Sequence, residues 1–214
     1  IVGNGTVKTV VDAGSLSRIF EIADTAGDVT IEKLSLINGL ASGNNENKLT
    51  NTFSGGAIHS LSTGKLMISG CRFRTNATDG SFANGGAIYS LNGSIEVQFS
   101  GFSGNTTGGV SAAGGAIFSE DGNVSVANSL FDSNSTAASF GRGGAIATAA
   151  GNVQIYDSEF QNNLTRSTDS TGGAISTLSG SISLSLSDLT QNHTEGTGSP
   201  GGAVYSDTGY IAID

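Results

Sequence analysis

The doublet Gly-Gly followed by Ala and then Ile or Val begins at Gly55, Gly85, Gly114, Gly143, Gly172 and Gly201, at intervals of 30, 29, 29, 29 and 29 residues. A phrase that returns at a fixed period of this length marks stacked repeat units, and it constrains the fold more than any local propensity. A second phrase keeps the same beat: Phe73 to Asn76, Phe102 to Asn105, Phe131 to Asn134, Phe160 to Asn163 and Leu189 to Asn192. The Phe or Leu lies 12 residues before the next doublet in every case, and each Asn is followed two residues later by Thr78, Thr107, Thr136, Thr165 or Thr194.

Between the phrases runs a short apolar alternation. Ile95 and Val97, Val124 and Val126, Val153 and Ile155, Ile182 and Leu184, and Ile211 and Ile213 sit two apart, the period of a strand with one buried face. Helical repeats need apolar residues at i, i+3, i+4 and i+7, and Ser, Thr, Gly and Asn dominate here instead. A propeller blade runs to roughly 40 residues or more. A coil of about three short strands with turns fits 29 residues, so the chain is expected to be an all-β solenoid. At about 4.8 Å per rung it would form a rod roughly 30 to 40 Å long.

Stacking predicts columns of like residues. Phe73, Phe102, Phe131 and Phe160, ended by Leu189, form an expected interior aromatic stack. Ile58, Ile88, Ile117, Ile146, Ile175 and Val204 form a second interior column. Asn76, Asn105, Asn134, Asn163 and Asn192 form an expected ladder, since an amide can bond both a turn and the rung above. The glycines Gly55, Gly85, Gly114, Gly143, Gly172 and Gly201 open corners that need positive φ or close rung approach. Cys71 shares a slot with Ser100, Ser129, Ser158 and Ser187 and reads as a small packed residue rather than a reactive thiol.

The composition agrees. The chain has 33 glycines but a single proline, because strands that donate to the next rung cannot lose their N–H. Pro200 is placed in a loop, where no donor is lost. With 9 basic and 18 acidic residues and a net charge of −9, the chain lacks the basic face that nucleic acid requires. One cysteine excludes an internal disulfide framework. No apolar run reaches the 18 residues of a membrane-spanning helix.

The chain reads as one β-helix segment over 1–214, with irregular rungs over 1–54 and regular ones over 55–214. In the N-terminal part, residues 28–31 align with 123–126, Leu36 with Phe131, Gly39 with Asn134 and Ile22 with Ile117. A polar insertion follows within 39–53. Both ends look cut, and the chain is expected to be a piece of a longer protein.

The GGAI phrases at 55–58, 85–88, 114–117, 143–146 and 172–175, with GGAV at 201–204, alternate with FxxN at 73–76, 102–105, 131–134 and 160–163. This pattern resembles the passenger repeats of the chlamydial polymorphic membrane proteins and related bacterial repeat proteins. The resemblance covers 55–214 strongly and 18–54 weakly. It implies a right-handed parallel β-helix in an autotransporter passenger, exported through a C-terminal outer-membrane barrel to the cell surface, where it adheres to a receptor or glycan. No cofactor and no enzymatic activity are expected, because the acids look scattered and no GxSxG, HExxH or phosphate-loop motif appears.

The Phe and Asn ladders are read as chiefly structural. One column is harder to explain by folding: the residue after the Ile, which alternation would turn outward. It reads His59, Tyr89, Phe118, Ala147, Ser176 and Tyr205, and its four rings, His59, Tyr89, Phe118 and Tyr205, are the candidate binding residues. The bland alternative is that a neighbouring loop covers them. The loops 77–84, 106–113, 135–142, 164–171 and 193–200 vary most and are candidate recognition segments, with the 39–53 insertion first among them. The Asn-X-Thr phrases also match glycosylation acceptors, but five matches in phase point to a folding constraint. Parallel β-helices can also carry polysaccharide-cleaving activity, which needs clustered carboxylates. Here Asp132, Asp157, Glu159 and Asp188 look scattered, and no metal-binding motif appears. Ice binding would need a regular outward Thr or Ser array, which the mixed outward positions do not supply.

Overall fold

The computed structural model describes residues 1–44 and 51–214. Residues 45–50 of the expected insertion, including Asn45 to Lys48, lie outside the described residues. Among the described residues there is no helix, and four parallel sheets stack into a β-solenoid. Each regular rung contributes four strands rather than the expected three. In one turn these are Ile88–Ser90 (sheet 1), Ile95–Gln98 (sheet 2), Gly101–Ser103 (sheet 3) and the two-residue Thr106–Thr107 (sheet 4). The fourth strand was hidden because it falls in a segment of mixed polar residues with no alternation to mark it. Among the described residues sheets 1, 2 and 3 have seven strands each and sheet 4 has six.

The predicted columns are the pairing register. Phe73, Phe102 and Phe131 are successive partners, as are Ile58, Ile88 and Ile117. The four phenylalanines stack with centroids 4.6 to 4.7 Å apart and ring planes within 1°. That spacing equals the rung spacing, so the backbone ladder sets the ring separation. All four are fully buried in the main core with the Ile column and the inward residues of sheet 2.

The Asn ladder is continuous and directional. Asn105 Nδ2 donates to Asn134 Oδ1 at 2.9 Å and to Phe73 O at 3.1 Å, and Asn105 N donates to the same Asn134 Oδ1 at 3.1 Å. The pattern repeats from Asn76 to Asn192. It begins at Gly39, which occupies the Asn slot as expected and donates its N–H to Asn76 Oδ1 at 2.8 Å. Asn76, Asn105, Asn134 and Asn163 are fully buried with their amides engaged, so they cannot accept a glycan in the folded chain.

The glycine doublet has both expected roles, one for each glycine. Gly114 has φ of +67°, and a Cβ there would stand 2.1 Å from Ile117 O. Gly115 has ordinary φ, but a Cβ would stand 2.1 Å from Gly144 O in the next rung. The Ala that follows closes the corner: Ala116 N and Ile117 N both donate to Ala145 O at 2.9 Å.

Two alignments are corrected. In the N-terminal rung Phe20, not Ile22, takes the Ile column, since Phe20 pairs with Ile58 and Ile22 with Ser60. The short phrase around Ile22 offered two apolar residues at the same spacing, and alternation alone could not choose between them. Pro200 does replace a donor. The equivalent Thr171 donates its N–H to Gly141 O at 2.9 Å, because the loops stack as a hydrogen-bonded ribbon like the strands.

Candidate binding face

The predicted aromatic column is not a surface. His59, Tyr89 and Phe118 are at most 2% exposed and Tyr205 is half-buried. The loops between the Asn ladder and the next doublet fold over sheet 1 and cover it. Tyr89, Ala113, Phe118 and Ala147 form a second small core beneath them. The loops can lie this close because the slot Ala83, Ala112, Gly141, Ser170 is filled by small residues. His59 and Tyr89 stack at 5.2 Å, and Tyr89 and Phe118 at 5.8 Å. Burial, with nearby Arg18 adding to it, pushes the His59 imidazole down to about 4.

The covered layer also holds polar groups. Tyr89 Oη accepts from Asn51 Nδ2 at 2.5 Å and donates to Glu120 Oε2 at 3.4 Å. Burial, and then the Glu120 charge, pushes the phenol up. Asn51, Phe118, Glu120 and Arg142 line a cavity of about 80 Å³, and burial holds the Arg142 guanidinium below the usual range. The described flanks of the insertion are tied to the rungs as well: Arg18 bonds the carbonyls of Thr52, Ser54 and Gly55, and Ser42 bonds Asp79. Cys71 is buried in the serine column, and burial raises its thiol. Its N–H donates to Ser100 Oγ at 3.0 Å, as Ser100 N–H does to Ser129 Oγ at 3.1 Å.

The outsides of sheets 2 and 3 are both left open, and the latter lies behind the Phe stack. A groove of about 640 Å³ runs along it, with Gly101 and the serine column beneath and Arg72, Phe99, Leu130, Glu159, Leu186 and Asp188 around it. The slot before each Phe reads Arg72, Gly101, Leu130, Glu159 and Asp188, successive partners across the sheet. No two neighbours repeat the same side chain, whereas the inward slot one residue later is almost invariant. Glu159 and Asp188 share this slot, so two of the carboxylates expected to be scattered are adjacent; Asp132 sits two residues further along its strand.

The lip of the groove is a corner where Lys33, Gly70, Phe99, Asn128, Asp157 and Leu186 all have φ between +44° and +59°. Gly, Asn and Asp suit such a corner. Phe and Leu do not, and Phe99 and Leu186 are 64% and 66% exposed. Neither backbone preference nor burial accounts for them. Sequence reading passed over Phe99 because it lies three residues before Phe102, outside the repeated phrase. Aligning the rungs would have shown a slot holding Gly, Phe, Asn, Asp and Leu in turn. Among the described residues no group of three or more His, Cys, Asp or Glu side chains is placed to hold a metal ion. Among the described residues no helix is long and apolar enough to cross a membrane. Compared with family models, with curated proteins and with solved structures, the chain finds no match in any of the three.

Proposed function

We propose that this chain is a length of surface-displayed β-solenoid that works as a rigid contact surface, binding through the outer face of sheet 3 and not by catalysis. The observation that carries the reading is the pair of exposed apolar side chains, Phe99 and Leu186, held at left-handed backbone angles beside the groove. A conformation that disfavours the residue, kept where nothing is buried, points to a role outside folding. The change of side chain from rung to rung fits the same view, since the columns of the inner core are nearly constant and this one is not. The GGAI and FxxN resemblance supports a bacterial autotransporter passenger with an adhesive role, displayed at the cell surface and meeting a receptor or glycan.

Beads coated with the protein should attach to cells or to immobilised polysaccharide. The Phe99→Ser variant should attach less while its thermal unfolding is unchanged. Equal attachment by the variant would place the contact elsewhere. Release of reducing ends from a polysaccharide would favour the cleaving activity, with Glu159 and Asp188 as the carboxylates to replace first.

A further inference from the structure

We infer that the outer face of sheet 3 is self-complementary, and that its partner is the same face of a second copy lying antiparallel to the first. This rests on the reading of that face as the contact surface and names what it contacts. The geometry follows from the register. A two-fold axis that brings two such faces together, running along the strand direction, reverses rung order while keeping each column opposite itself. Place that axis between the strands Gly101–Ser103 and Leu130–Asp132, which are hydrogen-bonded neighbours. Leu130 of each copy then stands over Gly101 of the other.

Gly101 is a hole for it. A Cβ there would meet nothing within 4 Å, and the groove lies directly above. Leu130 is exposed beside it. One rung further out, Arg72 of one copy meets Glu159 of the other, and both are exposed. Ser103 meets Asp132, a donor against an acceptor. At the corner Phe99 faces Asn128. No like charges meet in these four rungs. Shifting the axis onto the strand Leu130–Asp132 would instead set Asp132 against Asp132, which disfavours that register.

Within a single chain Arg72 and Glu159 are three rungs apart, about 14 Å. They cannot pair internally, so any coupling between them reports contact between copies. The face is narrow, three residues per strand. The interface therefore belongs with weak, transient contacts below about 1,200 Å². Many rods anchored side by side would add their contacts.

The test is sedimentation velocity at low ionic strength over a wide range of concentration. The unmodified protein should pass from monomer to dimer, and added salt should reverse this. Arg72→Glu should weaken the dimer about tenfold or more, as should Glu159→Arg. The double exchange, Arg72→Glu with Glu159→Arg, should restore it. Gly101→Phe, which has room for its side chain in the free chain, should block it, with the circular-dichroism spectrum unchanged. A dimer indifferent to these changes, or one that the double exchange fails to restore, would overturn the pairing. A monomer at every concentration whose bead attachment falls with Arg72→Glu would also overturn it, while leaving the contact face in place. A monomer whose attachment ignores all these variants would remove both readings.

Discussion

The molecule holds two aromatic columns, and they obey different rules. In the inner column Phe73 to Phe160 repeat without change, with planes parallel to 1°. In the covered column His59, Tyr89 and Phe118 stack less evenly, at 20° and 8°, and give way to Ala147 and Ser176. Both are buried. The difference lies in what bounds them. The inner column is enclosed on all sides by strands fixed to the rung spacing, so each missing ring would leave a void. The covered column is bounded on one side by loops, whose small residues can settle onto whatever lies below. Variation in a column is therefore no proof of exposure; it also marks a boundary that can adapt.

The largest effect should come from the ladder beside the inner column. Asn134→Ala takes the acceptor from Asn105 N and Nδ2 and the donor from Phe102 O, all buried, at a cost of about 3–6 kcal/mol. Hydrogen exchange read along the chain should show this loss spread over the adjoining rungs, because each rung leans on its neighbours. The two columns can then be set against each other directly. Phe131→Ala should cost about 3–5 kcal/mol, and Phe118→Ala about 2 kcal/mol, because the loop can close over the smaller side chain. Equal costs in urea unfolding would break the distinction.

A smaller effect follows from His59. Burial holds its folded value at about 4, against 6.5 for the free side chain. The unfolded chain therefore binds more protons between those values. Stability should be complete above pH 6.5 and fall as pH drops toward 4, by up to about 1.4 kcal/mol per pH unit. His59→Phe should flatten that slope in unfolding curves taken across the window. The smallest effect is expected at the open corner. Phe99→Gly should leave stability within about 1 kcal/mol of the unmodified protein, since glycine accepts the left-handed angle without its ring. Its attachment to beads should still fall.

Most of the frame was legible because it is written in identical letters. The Phe, Ile and Asn columns, the doublet corners and Gly39 as the start of the ladder all follow from phase alone. Further glycines share that phase, at Gly64, Gly93, Gly122, Gly151, Gly180 and Gly209, and went unread. A Cβ on Gly122 would stand 2.2 Å from Gly93 O, so they are as constrained as the doublets. The loop cover was harder. Its signal, the small residues Ala83, Ala112, Gly141 and Ser170, is a column of different letters with one shared property. The binding face was the least legible, because its slots differ from rung to rung and only the register shows that Arg72, Gly101, Leu130 and Glu159 lie in one line.

The Asn ladder has a consequence for how such a chain can change in length. Each amide oxygen accepts from the preceding rung, and each Nδ2 donates to a carbonyl of that rung and, from Asn76 to Asn163, to the next Asn as well, so any rung can follow any other. Removing residues 117–145 would join Ala116 to Ile146 and bring Asn163 to where Asn134 received Asn105. A cut one residue shorter would throw every later column out of phase. The one irregular interval, from Gly55 to Gly85, is absorbed between Ser60 and Leu66, and pairing resumes on either side of it. A gene encoding this rod can thus lengthen or shorten it by whole turns, as links are added to a chain, while an odd residue survives only where a turn can swallow it.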